Sequence, residues 1–194
     1  TVTTQLGIAN GYFGTTFSLG SVAGEVCAGN SNAGQPVSMN NLQFTFTGTQ
    51  QGNKLVPTGQ TGVPTMGNSC AISADGNTMV VGGPNNNSLV GASWVFVRNG
   101  TTWSQQALLI GSYPINTRKQ GSSVAISADG NTIAIGGPSD NSNQGATWIF
   151  TRSGATWQEE AKLLASGLIG NAQQGYSVAL SANGNVLAIG AASH

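Results

Sequence analysis

The sequence predicts an all-β chain built from repeated four-stranded units, on three observations. Residues 67–120 and 121–174 are one segment written twice without a gap, identical at 28 of 54 positions, and a third copy opens at Gly175. Short runs of Val, Ile, Thr, Phe and Trp alternate with Gly, Pro, Asn and Asp, and 29 of 194 residues are Gly, the composition of strands and turns. Each full copy also places Asp-Gly between two apolar runs, a hairpin signature. A fixed period of this length marks units that cannot bury their own faces and must stack on one another.

The elements follow in order. Residues 1–13 are expected to form an N-terminal strand or arm, with 1–8 falling where the rim strand of an earlier unit belongs. Residues 14–66 read as a diverged unit with strands near 13–19, 22–28, 39–46 and 50–55, lacking the Asp-Gly turn and both tryptophans of the later copies. In the unit 67–120, residues 69–73 are a short strand, Ala74-Asp75-Gly76-Asn77 a tight turn, and 78–82 the return strand. Positive φ at the centre of that turn predicts type I′. A Gly-Pro-Asn-rich loop over 83–91 leads to a third strand over 92–98, a turn at Asn99-Gly100, and a fourth strand over 102–110. Residues 121–174 repeat the series, and 175–194 carry two strands of another unit, near 176–181 and 185–190. Four antiparallel strands in about 54 residues is the make-up of a β-propeller blade, with a small apolar inner strand and a polar outer one.

Ser-Val-Ala-Ile-Ser-Ala-Asp-Gly-Asn-Thr-Ile-Ala-Ile-Gly-Gly-Pro at 123–138, followed by Gly-Ala-Thr-Trp-Ile-Phe-Thr-Arg-Ser-Gly at 145–154, resembles the FG-GAP repeat family. These are the blades of integrin alpha chains and of microbial and viral surface proteins, and the non-calcium microbial branch is the closer likeness. The resemblance covers 67–194. It implies a propeller and an extracellular binding or structural role on a cell or virion surface.

Charge and chemistry narrow the function. Six basic and six acidic residues give no net charge, which leaves no electrostatic case for nucleic acid or an anionic membrane. No apolar run reaches the roughly 18 residues of a membrane span. An opening without Met reads as a processed chain. The sole histidine is His194, so no Ser–His or Cys–His pair activates a nucleophile and no enzyme is expected. Glu159 and Glu160 are adjacent on a strand and point to opposite faces, a solvated edge rather than a catalytic pair. The Asp75 and Asp129 turns hold one carboxylate each, and Asn183 takes the place in the third copy. That is too few oxygens for Ca²⁺. No metal or cofactor is expected.

Binding candidates remain. Trp94 and Trp148 fall inside apolar strands and read as core. Trp103 and Trp157 lie just past a turn among polar neighbours, where a sugar or protein contact is open to them beside simple packing. Arg98 and Arg152 recur at the end of the third strand as further ligand contacts or solvated strand ends. Asn86 and Asn99 stand in Asn-x-Ser/Thr sequons as glycan acceptors or plain loop residues. Cys27 and Cys70 suit one disulfide in an oxidising compartment. Two buried thiols are the alternative, since Cys70 takes the inward position of Val124 and Val178.

Two strands with an open edge invite completion. The N-terminal strand can close the unit within one chain, two chains can share a ring, or copies can join head to tail. Completion between chains is favoured, with Thr1, Val2, Thr3 and Thr4 meeting Tyr176, Val178, Leu180, Leu187 and Ile189. The sequence therefore predicts a self-associating structural protein or filament subunit. The alternative is a lectin-like module whose partners are glycans or surface proteins.

Overall fold

The computed structural model describes residues 53–112, 118–167 and 170–192, which hold ten strands in three antiparallel sheets. Strands β1 (Ser69–Ile72), β2 (Thr78–Gly83), β3 (Ala92–Asn99) and β4 (Thr102–Leu109) form the first sheet in that order. Strands β5 (Ser123–Ile126), β6 (Thr132–Gly137), β7 (Ala146–Ser153) and β8 (Thr156–Leu163) form the second. A hairpin of β9 (Ser177–Leu180) and β10 (Leu187–Gly190) is the third. The registers match across copies: Val81 pairs with Trp94 as Ile135 pairs with Trp148. Predicted and observed strand ends from residue 69 onward agree within two residues.

Three expectations are corrected. Residues 53–55 carry no strand. Thr58 instead ties its segment to β4 through the Gln105 side chain, which accepts from Thr58 N at 2.7 Å and donates to Thr58 O at 3.2 Å. The expected strands at 13–19, 22–28 and 39–46 and the arm over 1–13 lie outside the described residues.

The Asp-Gly turn is not type I′. Gly76 and Gly130 have φ of 68° and 71°, while Asp75 and Asp129 do not share the positive φ. Gly76 N donates to Ser73 O at 2.9 Å. This is a type I turn followed by a left-handed glycine, because the aspartate is needed as a side-chain acceptor.

Cys70 is exposed, although Val124 at the same place in the next unit is buried. The difference is one of neighbours: β5 lies between β1 and β9, whereas β1 has β5 on one side only among the described residues.

The loop after β2 contains a turn that the sequence does not announce. Asn87, Ser88 and Leu89 have φ of 48°, 53° and 73°, and Asn141, Ser142 and Asn143 have 47°, 57° and 67°. Three successive left-handed non-glycine residues are unfavourable by about 1–2 kcal/mol each, less for Asn. The turn presents carbonyls to the next unit. Leu89 O accepts from Arg118 N and Lys119 N, both at 2.9 Å, and Val90 O accepts from Gln120 N at 3.1 Å. One period later Asn143 O and Gln144 O accept from Gln173 N and Gln174 N at 2.9 and 2.8 Å.

Two further bonds per step staple the units. Ala74 N donates to Ala128 O at 3.0 Å, and Ala128 N to Ala182 O at 2.8 Å. Ser69 Oγ donates to Gly121 O and Ser123 Oγ to Gly175 O, both at 2.8 Å.

Burial is deepest in the middle strands. Val80, Val95 and Leu109 of the first sheet pack with Val124, Ile133, Ile135, Trp148 and Phe150 of the second. The opposite face of the first sheet buries Val81, Trp94 and Phe96 against Leu55 and Met66. Alternation along the strands thus gives the first sheet two buried faces, one of them against the second sheet, which is why the units stack. Trp94 and Trp148 are fully buried core residues.

Candidate functional site

The four side chains predicted to meet a ligand form two equivalent brackets. At the first, the Arg98 guanidinium lies 5.7 Å from the Trp103 ring centroid and donates through Nε and Nη2 to Asn77 Oδ1 at 3.2 and 3.1 Å. At the second, Arg152 lies 5.2 Å from the Trp157 centroid and donates through Nε and Nη2 to Asn131 Oδ1 at 3.1 and 3.0 Å. Each arginine spans from the inner hairpin turn to a half-buried ring on the outer strand, a cation–π contact joined to a hydrogen-bonded fork.

A bulge links the second bracket to the unit before it. Val95 pairs with Ala107 and Phe96 with Gln105, so Gln106 is the extra residue. Such a bulge re-aims a side chain, and Gln106 Oε1 accepts from Trp157 Nε1 at 2.9 Å and from Arg152 Nη1 at 3.1 Å. Trp103 borders a cleft of about 550 Å³ together with Lys54, Leu55, Val56 and Gln105. The two equivalent tryptophans therefore differ in what closes over them.

The turn aspartates are used locally. Asp75 Oδ1 accepts from Ser73 Oγ at 2.5 Å and Asn77 N at 2.9 Å, and Asp129 Oδ1 accepts from Ser127 Oγ and Asn131 N at 2.5 and 3.0 Å. The serine hydroxyl bond, then the backbone bond, holds each carboxyl below the usual aspartate range. Asn183 makes the same two contacts without a charge, at 2.7 and 3.1 Å. Among the described residues no three His, Cys, Asp or Glu side chains gather as a metal site.

A buried polar cluster lay beyond sequence reasoning. Arg118 and Asp140 are 0% and 3% exposed. Asp140 meets Lys162 Nζ at 2.7 Å and Arg118 Nε at 3.6 Å, and both cations approach the Trp148 ring, at 5.1 and 5.8 Å. Burial lowers the Arg118 pKa, and the charges of Asp140 and Glu159 oppose that shift. Glu159, expected as a solvated edge, accepts from Ser112 N and Oγ at 2.5 Å each. Glu160, the second bulge residue, is exposed.

A cavity of about 470 Å³ opens where β1 begins and β2 ends, lined by matching positions of three successive units, among them Lys119 and Tyr176. Val178, Leu180, Leu187 and Ile189 are half-buried in the terminal hairpin. Thr1, Val2, Thr3 and Thr4 lie outside the described residues, as does Cys27, so the Cys27–Cys70 pairing lies there too. Asn99 is exposed at the end of β3. Asn86 is 1% exposed and its Oδ1 accepts from Thr61 N at 2.8 Å. No helix among the described residues is long and apolar enough to cross a membrane.

No protein-family model matches the chain, and no curated protein sequence matches it.

Proposed function

We propose that the chain is a non-enzymatic, extracellular structural protein of FG-GAP-like propeller blades that associates with itself by strand addition at β10. The observation that carries this reading is the edge of β10. Strands β2 and β6 are each paired on both sides, whereas β10 pairs with β9 alone among the described residues. Ser181 N donates to Val186 O and Gly175 N to Gly190 O. That parity turns the N–H and C=O groups of Leu187, Ile189 and Ala191 outward. Unpaired groups on an apolar strand are a template for another strand.

The occupant is the segment 1–8 of a second copy. Gly83 and Gly137 make room for Trp94 and Trp148: a Cβ on either would stand 2.6 Å from the ring's Cζ3. In the terminal hairpin that position is Ala191, so the incoming strand carries a residue smaller than Trp there. Thr1 to Ile8 contains no Trp and sets Val2, Leu6 and Ile8 on one face of a strand.

Light scattering across a dilution series tests the reading. The full chain is expected above 19.6 kDa, and removal of residues 1–8 should return it to the monomer mass. Ile189→Pro should do the same, because it removes an outward N–H and leaves the β9 bonds in place. Oligomers that survive both changes would overturn the proposal.

A second reading, a lectin-like surface module, is favoured by the cleft at Trp103. It requires that a glycan array signal fall when Trp103 and Trp157 are both replaced by Phe. An unchanged signal would remove the pair from the site.

A further inference from the structure

The cavity at the start of the inner strands has a built frame and a variable lining. Thr65, Lys119 and Gln173 occupy one position of the period, and Asn68, Ser122 and Tyr176 another; all six line the cavity. The frame is constant. Asn68 N, Ser122 N and Tyr176 N donate back to Thr65 O, Lys119 O and Gln173 O at 3.3, 3.1 and 3.2 Å. Thr65, Lys119 and Gln173 all have positive φ, at 52°, 55° and 57°. Glycine would adopt that backbone freely, so a side chain is kept at each position against a conformational cost. The next residue in each unit faces inward: Gln120 and Gln174 are buried and bond the backbone at Gly111 and Ala165. Structural duty thus falls on one residue of each pair, and the strained neighbour is left to differ as Thr, Lys or Gln.

The chemistry of the lining is specific. Among the described residues Lys119 is its one cation, and no carboxylate lines the cavity. Tyr176 keeps 61% of its surface exposed. Around them stand three hydroxyls, of Thr65, Ser122 and Ser139, and three amides, of Asn68, Asn85 and Gln173. An open aromatic face with amide and hydroxyl partners suits a sugar ring, and an ammonium with no carboxylate beside it among the described residues suits a carboxylate on it.

We infer that this cavity binds a carboxylate-bearing saccharide, with Lys119 on the carboxylate and Tyr176 against the ring. The site goes beyond the assembly reading.

The test is a glycan array of sialylated and uronic-acid-terminated oligosaccharides beside their neutral counterparts, followed by titration of the best acidic probe. The wild-type chain should prefer the acidic sugars. Lys119→Gln should weaken them by about tenfold, the loss of one charge-assisted contact, and abolish the preference over neutral sugars. Tyr176→Ala should weaken both classes. Far-UV circular dichroism and solution mass, taken on each variant, separate loss of the site from loss of fold or assembly. Equal binding of acidic and neutral sugars, no binding by the wild type, or retained preference in folded Lys119→Gln would each overturn the inference.

Discussion

Gly137→Ala isolates the packing that sets the unit's size. Gly137 has no positive φ, so the backbone accepts alanine, and on entropy alone the change would stabilise by about 0.4–1 kcal/mol. The obstacle is steric. The new Cβ would lie 2.6 and 3.1 Å from Cζ3 and Cη2 of Trp148 and 3.0 Å from Arg118 O. Trp148 is fully buried, and its opposite edge rests on Gly111, so the ring cannot slide away. Overpacking of this kind costs about 1–3 kcal/mol; with backbone on one side and a trapped ring on the other, about 2–3 is expected. That is a large share of the roughly 5–15 kcal/mol that holds a domain together, and it should lower a urea midpoint by about 1 M. Far-UV circular dichroism reads the transition without relying on tryptophan emission. In a Trp148→Phe background, which lacks the atoms at Cζ3 and Cη2, the same change should cost about 0.5 kcal/mol or less. An equal cost in both backgrounds would refute the argument.

The turn carboxylates give a pH signature. Asp75 and Asp129 have folded pKa values below the ordinary aspartate value, so their contribution is present above the unfolded pKa and fades as pH falls through the folded one. Asp75→Asn with Asp129→Asn, the arrangement Asn183 already uses, should flatten the fall in urea midpoint between about pH 5 and pH 2; a curve parallel to wild type would contradict this. Gln106→Ala removes the acceptor shared by Trp157 and Arg152 and should cost about 1 kcal/mol in chemical unfolding, whereas a loss within error would mean the bracket is not coupled across units. Arg118→Met strands part of the Asp140 charge and should cost about 3 kcal/mol or more. Adding Asp140→Asn should recover a good part of that, and no recovery would show the arginine acting through packing alone.

How much was legible follows from where the signal lies. Strands β1 to β10 could be read because alternation and turn residues recur at a fixed offset, and the burial of Trp94 and Trp148 follows from their apolar flanks. The left-handed turns at Asn87–Ser88–Leu89 and Asn141–Ser142–Asn143 were not, since nothing in Asn-Ser announces three positive φ values and the cause is a hydrogen bond to the next unit. Arg118 and Asp140 were missed for a related reason. Their counterparts are Pro64 and Asn86 in one copy and Ala172 in another, so the period carries no trace of the ion pair. The exposure of Cys70 depends on which strands flank β1, a fact of stacking and not of local sequence. The brackets were half legible: Arg98, Arg152, Trp103 and Trp157 stand out in the sequence, but the bonds of Arg152 and Trp157 to Gln106 arise only once the bulge turns Gln106 toward the next unit.

The most direct test of strand addition is amide exchange along β10 in the full chain at high concentration. The Ala188 amide faces β9 and should be protected at every concentration. The amides of Leu187 and Ile189 face outward; they should exchange slowly in the associated protein and quickly on dilution or after loss of residues 1–8. Fast exchange of both at a concentration where the chain is associated would contradict the account, because the copies would then meet through some other surface.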